Sequence, residues 1–294
     1  MELRVLKYFL TTAEEENITK AAKLLHVSQP TLSRQLMQLE EELGVVLFKR
    51  SNHNIVLTQE GLLLKRRAKE MLLLADRTKE ELSGKDEAIS GKVSIGCGEL
   101  QSVSELAEII TAFGEAYPLV QFQIYSGSSV DIKERIENGT LDLGLLLEPV
   151  DITKYDFVRM HTKEEWGILV DKRLPISKKE VVRPEDLVGL PLMISSSNPI
   201  KNELSSWFGD YAGQLNVVST YNLMYNSAIL AEKRAGALLC LRLEARYENL
   251  VFIPLAPRLT LSSVLAWKER QTFSKATAAF IQFAREMQKL NDKK

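Results

Sequence analysis

Residues 17–61 read NITKAAKLLHVSQPTLSRQLMQLEEELGVVLFKRSNHNIVLTQEG, and their punctuation decides the fold of the N-terminal part. Thr19 suits the N-cap of a short helix, TKAAKLL, whose Ala21 and Ala22 permit close helix contact. His26-Val27 makes the turn. Ser28 then caps a further helix, and Pro30 is tolerated in its first turn because the missing N–H would be unpaired there anyway. Leu32, Leu36 and Leu39 share one face, and Gly44 suits a left-handed C-terminal cap. Two β-prone pieces follow, Val45–Phe48 and Ile55–Leu57, around the polar tip Lys49–Asn54. A short helix, a tight turn, a second helix and a hairpin spell a winged helix-turn-helix.

Upstream, Leu3, Leu6, Phe9 and Leu10 recur at helical spacing and add a first amphipathic helix. Downstream, an uninterrupted helix is expected from a Thr58 cap to about Ser83, with Leu64, Ala68, Met71, Leu72, Ala75 and Leu82 on one stripe. A helix this long suits pairing with a copy of itself, although the same periodicity fits a helix docked on its own domain. The segment SGKDEAISG at 83–91 has the composition of a hinge.

Beyond it strands and helices alternate. Strands are expected at Val93–Cys97, Val120–Tyr125, Leu141–Leu147, Trp166–Val170, Leu192–Ser195, Val217–Thr220 and Val264–Trp267. Ser102-Val-Ser-Glu105 has the spacing of a capping box, and Ser128/Ser129 precede a helix ending at Asn138-Gly139. Asn198-Pro199 opens another helix, and two more are expected from about Asn222 to Arg234 and from about Ser274 to Leu290. The pattern is that of an α/β domain in two lobes.

The head resembles that of the LysR-type transcriptional regulators. The residues that carry the likeness are Ala21-Ala22, Leu25 to Pro30, Leu32-Ser33-Arg34, Leu39-Glu40, Leu43-Gly44, Leu47-Phe48, Arg50, and Leu57-Thr58 with Gly61. Gly139-Thr-Leu-Asp142-Leu-Gly144 and Val182–Leu192 are similar to later steps of the same family. One stretch departs: where the family tends to have Gly-x-Gly and then a proline, this chain has Arg234-Ala235-Gly236 and Cys240-Leu241. The resemblance implies a winged helix-turn-helix head, a long linker helix and a two-lobed effector domain of the periplasmic-binding-protein type (type 2). It also implies double-stranded promoter DNA and a small-molecule effector as partners, and a homo-oligomer, commonly a dimer of dimers. The expected division is 1–58 for the head, 59–90 for the linker helix and hinge, and 91–294 for the effector domain. Lobe 1 is expected at about 91–161 plus 267–294 and lobe 2 at about 162–266.

Composition sets the bounds. The 294 residues are 45% hydrophobic and 26% charged with net charge −1, ordinary for a globular chain. No apolar run is long enough for a membrane-spanning helix, and the charged start MELRVLKYFLTTAEEEN is unlike a signal peptide, so a cytoplasmic protein is expected. Cys97 and Cys240 make no disulfide framework, and His26, His53 and His161 form no zinc spacing. No nucleophile elbow, phosphate loop or metal motif is present, so neither an enzyme nor a cofactor is expected. Residues 1–70 hold 11 Lys/Arg against 9 Asp/Glu, so DNA binding requires the basic residues to lie on one face, with Glu14–Glu16 and Glu40–Glu42 turned away.

For DNA, Gln29 and Arg34 are the expected base readers, since Gln pairs with adenine and Arg with guanine, with Thr31 and Ser33 in support. Pro30 shapes the helix start. Lys20, Arg50 and Thr58 are backbone-contact candidates, and Asn52 and His53 sit at a wing tip that could enter the minor groove. For the effector, Gln101/Ser102, Ser128/Ser129 and Ser195 to Asn198 begin helices directly after strands, where free N–H groups favour an anion. Thr220 and Asn222 are further candidates. Ser102, Ser129 and Asn198 equally fit simple capping. Leu147-Glu148-Pro149 is expected at the cleft wall, where Glu148 would disfavour a close anion. A solute-binding protein, or a redox sensor using Cys97, is the alternative on the same scaffold.

Overall fold

The computed structural model describes residues 1–50, 55–83, 89–245 and 247–291. The chain forms two compact units, Met1–Gly84 and Lys85–Lys294.

The first unit begins with α1 (Leu3–Glu15), α2 (Ile18–Leu24) and α3 (Gln29–Leu43). Phe9, Leu6, Ala21, Ala22, Leu32, Leu36 and Leu39 form its core, with the two alanines fully buried as close contact requires. Leu3, expected on the buried face of α1, is exposed. The N-cap of α2 is Asn17, whose carboxamide oxygen accepts the Lys20 N–H at 3.0 Å; Thr19 lies inside the first turn. Ser28 caps α3 by accepting the Thr31 N–H, and Gly44 ends it at φ +67°, a left-handed conformation that costs a glycine little. Strands β1 (Phe48–Arg50) and β2 (Ile55–Leu57) pair antiparallel. Val45–Leu47, expected in the first strand, lies outside it, because the Glu40 carboxylate accepts the N–H groups of Leu47 (2.7 Å) and Phe48 (3.1 Å).

The long helix α4 (Gln59–Ser83) belongs to this unit and packs on α1. Leu64, Ala68 and Leu72 of the expected stripe join the head core. Met71 of that stripe is exposed, as are Leu62, Leu63, Leu73 and Leu74 outside it.

The second unit contains β3 (Gly91–Cys97), α5 (Val103–Ala116), β4 (Val120–Ser126), α6 (Ser129–Glu137), β5 (Leu143–Leu147) and β6 (Tyr155–Arg159). It continues with β7 (Glu164–Asp171), β8 (Pro191–Ser195), α7 (Asn198–Phe208), β9 (Asn216–Tyr221), α8 (Met224–Glu232) and β10 (Ala237–Leu241). It closes with β11 (Leu250–Pro254), β12 (Thr260–Leu261), β13 (Ser263–Lys268) and α9 (Lys275–Asn291). Among the described residues these strands form two sheets. Lobe 1 orders its five as β4-β3-β5-β13-β6, and lobe 2 orders β11-β7-β10-β8-β9, with β12 also on β7.

The chain crosses between lobes after β6 and returns before β13. Residues 263–266, expected in lobe 2, therefore pair with β5 and β6 in lobe 1. Asp142 ties β5 to β3 by accepting the Ser94 N–H at 2.7 Å. Gly144 in β5 lies against α6, where an added Cβ would come within 2.6 Å of Ile132. Phe113 of α5 and Phe280 of α9 meet edge-to-face at 5.3 Å under the lobe 1 sheet. At the departing corner of lobe 2, Arg234 itself takes a positive φ of 62° after α8, and its guanidinium reaches Asp171 at 3.1 Å.

Candidate functional site

In the head, burial of Leu32, Leu36 and Leu39 turns the opposite side of α3 to solvent. Gln29, Pro30, Thr31 and Arg34 are exposed there and Ser33 is half-buried. The Ser28 cap fixes the start of this edge: its Oγ lies 2.7 Å from Thr31 Oγ1, and Gln29 Nε2 donates to Ser33 Oγ at 3.2 Å. Lys20 is exposed on α2. Thr58 is not available to DNA. It is buried, its Oγ1 donating to Val46 O (2.7 Å) and accepting the Gly61 N–H (2.9 Å), so it is the cap of α4. The Arg50 side chain, Asn52 and His53 lie outside the described residues.

In the second unit an open cleft lies between the lobes. Lobe 1 contributes Gly98, Glu99, Leu100, Ser128, Ser129, Leu145 and Leu147, and lobe 2 contributes Trp166, Ser195, Ser197, Ile200, Tyr221, Asn222 and Met224. Helix starts converge here, but the protein fills several with its own carboxylates. The α5 start is taken by Glu164 of β7, which accepts the N–H groups of Gln101 (2.8 Å) and Ser102 (2.9 Å). The α6 start has a capping box between Ser128 and Asp131. The α8 start is bonded across the cleft by Glu99, whose carboxylate accepts the Met224 N–H. The α7 start differs: its N-cap, Ser197, makes no side-chain bond to the first turn. Trp166 is buried to 2% exposure, and its indole N–H has no partner among the described residues.

Residues 3–62 match the family described as "Bacterial regulatory helix-turn-helix protein, lysR family", and residues 86–289 match "LysR substrate binding domain". The chain belongs to the LysR family. It is thereby a transcriptional regulator with a helix-turn-helix head and an effector-binding domain. It is similar to the transcriptional regulator IlvY of Escherichia coli strain K12, 30% identical over 211 residues, 71% of this chain and 70% of that one. It is also similar to the regulator BsdA of Bacillus subtilis strain 168, 39% identical over 143 residues, 48% of this chain and 49% of that one. Its fold matches that of full-length CbnR solved with its target DNA, at a TM-score of 0.76 and 22% identity, covering 97% of this chain and 99% of that one.

Within this LysR chain the cleft gathers Ser128, Ser129, Ser195 and Asn222 of the expected effector residues. Gln101 and Ser102 are not among its lining: Ser102 is fully buried and accepts a hydrogen bond from Ser263 Oγ. The capping box expected at Ser102 is not formed, because Glu105 turns instead to the lobe crossing, where it accepts the N–H groups of His161 and Thr162. Thr220 is exposed on β9 away from the lining, and the Asn198 side chain lies outside the described residues. Leu147 lines the cleft as expected, whereas Glu148 pairs with Arg159 at 2.8 Å. The sequence reading missed Glu99, Trp166, Tyr221 and Met224. No local pattern marks them, since their roles depend on partners brought from the other lobe or a distant strand. Cys97 and Cys240 are both buried free thiols, and burial pushes both up, against the low value a reactive thiolate needs.

Proposed function

We propose that the N-terminal edge of α3 reads promoter DNA and that the lobe cleft holds a small carboxylate-bearing metabolite that alters this binding. One observation carries the DNA reading: polar Gln29, Thr31, Ser33 and Arg34 gather on the solvent side of a helix whose other side is core. Gln29 and Arg34 read bases, Thr31 and Ser33 support them, and Pro30 sets the helix start. Lys20, Arg50 and His53 contact the DNA around them. The protein works on DNA in the cytoplasm and not as an enzyme. The described cleft lining offers one carboxylate and no histidine, lysine, arginine or cysteine.

For the effector, Ser128 and Ser129 at the α6 start, Ser195 and Asn198 at the α7 start, and Asn222 are the polar contacts. A ligand bridging the lobes shifts the balance between two lobe arrangements only by its differential affinity for them. The linker helix pairs heads between copies through its exposed leucines, and two such pairs make a tetramer on an inverted repeat.

The test is binding to DNA upstream of the protein's own coding sequence, at about 50 and 200 mM salt, with random DNA as control. Site-selective binding with a steep salt slope is expected. Arg34→Ala is expected to cost about 1–3 kcal/mol at the selective site and leave random DNA unaffected. Equal loss on both would reassign Arg34 to the phosphates, and no selectivity at either salt overturns the reading.

A further inference from the structure

The cleft has an unexpected charge. Among its described lining residues the only ionised side chain is Glu99, an acid, with no lysine, arginine or histidine opposite it. Glu99 comes from lobe 1, directly after β3, and its one described partner is the Met224 N–H at the start of α8 in lobe 2. That bond engages a single oxygen, Oε2, leaving acceptor capacity on a half-buried carboxylate that faces the ligand space. A purely anionic ligand brought into this space would meet Glu99 with no cation to offset it, and unpaired like charges in a desolvated site are costly.

An anion-accepting end is nevertheless present. The first turn of α7 is uncapped by Ser197. Pro199 contributes no N–H, and the Lys201 N–H bonds the Ser197 carbonyl at 3.0 Å. Trp166 lines the same cleft, and its buried indole N–H has no partner among the described residues. A buried, unsatisfied donor in a ligand cleft is a group waiting for an acceptor from the ligand. Between these ends the walls are aliphatic, from Leu145, Leu147 and Ile200.

We infer that the effector is a zwitterion of the aliphatic α-amino-acid class, with its ammonium on Glu99, its carboxylate toward the α7 start and the Trp166 indole, and its side chain on the leucine and isoleucine wall. This rests on the effector reading of the cleft and narrows its ligand. An ammonium adds a bond to Glu99 without displacing Met224, so such a ligand reinforces the contact that already joins the lobes. A carboxylate without an amine gains no such bond.

The experiment uses the full-length protein and three matched series: L-α-amino acids from alanine to leucine, the same acids lacking the amine, and the same amines lacking the carboxylate. Calorimetric titration and melting temperature are read for each. At least one amino acid is expected to bind about tenfold or more tightly than both of its halves. Glu99→Gln retains an oxygen for the Met224 N–H but removes the charge. It is expected to weaken the amino acid about tenfold and leave or improve binding of the amine-free acid. An amine-free acid binding as tightly as its amino acid, an unchanged affinity in Glu99→Gln, or no binding by any amino acid each overturns the inference. DNA binding is followed in the same samples. An amine-free acid that binds and shifts DNA occupancy leaves the effector reading standing without the zwitterion. Small molecules that bind the cleft while selective DNA binding never changes overturn the effector reading itself.

Discussion

Glu105 shows how one side chain can serve a place the local sequence does not point to. Burial disfavours its charge and is the largest single influence on it. Hydrogen bonds from Gln288, Thr162 and His161 together outweigh that cost and hold its carboxyl below the ordinary value of 4.5. A depressed folded-state pKa means the ionised group stabilises the fold above the pH at which the unfolded chain's glutamate titrates. That contribution is lost as pH falls through the folded-state value. Glu105→Gln is therefore expected to lower the urea midpoint at pH 7 and to flatten its decline below about pH 4.5. Denaturation curves at pH 7 and about pH 3.5 check this, and an acid limb as steep in the variant as in the parent would remove Glu105 from the account. The residues legible in the sequence are those whose partners lie within a few positions. Ser28 with Thr31, Thr58 with Gly61, and Ser128 with Asp131 are all caps, and all were expected as helix starts. Glu164 at the α5 start and Glu99 at the α8 start are 62 and 125 residues from the N–H groups they meet, so spacing carries no trace of them.

Elements follow a similar division. Most helices and several central strands were legible because burial imposes a pattern on them: β5 is apolar throughout, and α3 repeats its leucines. The strands missing from the sequence reading are β6, β10, β11 and the two-residue β12. Of these, β6 and β11 are edge strands, whereas β10 is a central strand buried throughout, whose five apolar residues fit a buried helix segment equally well. The linker helix is the instructive case, because it is apolar on two sides. The stripe of Leu64, Ala68 and Leu72 satisfies α1 within its own unit. Leu62, Leu63, Leu73 and Leu74 remain 40–58% exposed on other faces of the same helix. Residues 62 and 73, and 63 and 74, are eleven apart, three helical turns, so each pair forms a row along the axis. Exposed leucine rows of this kind suit an interface, and on the proposed reading a second copy supplies the matching row. Leu63→Glu with Leu74→Glu is expected to shift the sedimenting species to the monomer while far-UV circular dichroism stays within about 5% of the parent, since neither side chain joins the head core. An unchanged oligomer would place the contact elsewhere.

At the scale of the whole molecule, the two units have separate cores and a separate spectroscopic address. The head core is built from residues between Val5 and Leu72, and the remaining clusters lie entirely in the second unit. The three tryptophans, Trp166, Trp207 and Trp267, also fall in the second unit. Tryptophan emission thus reports the effector domain alone, whereas helical dichroism reports both. Leu36 is 1% exposed at the centre of the head, and Leu36→Ala leaves a cavity there costing about 2–5 kcal/mol. Separate cores predict that this variant loses the low-temperature part of its dichroism melt and its DNA binding. Its tryptophan transition, and any ligand-induced shift of that transition, should stay within a degree or so of the parent. A head that melts early beneath an effector domain that still responds to ligand would mean that sensing is complete within the second unit, and that the head is needed only to turn it into occupancy of DNA. A tryptophan transition that falls together with the head would instead make the two units one cooperative block, and the regulatory signal would then have to be sought in their shared stability.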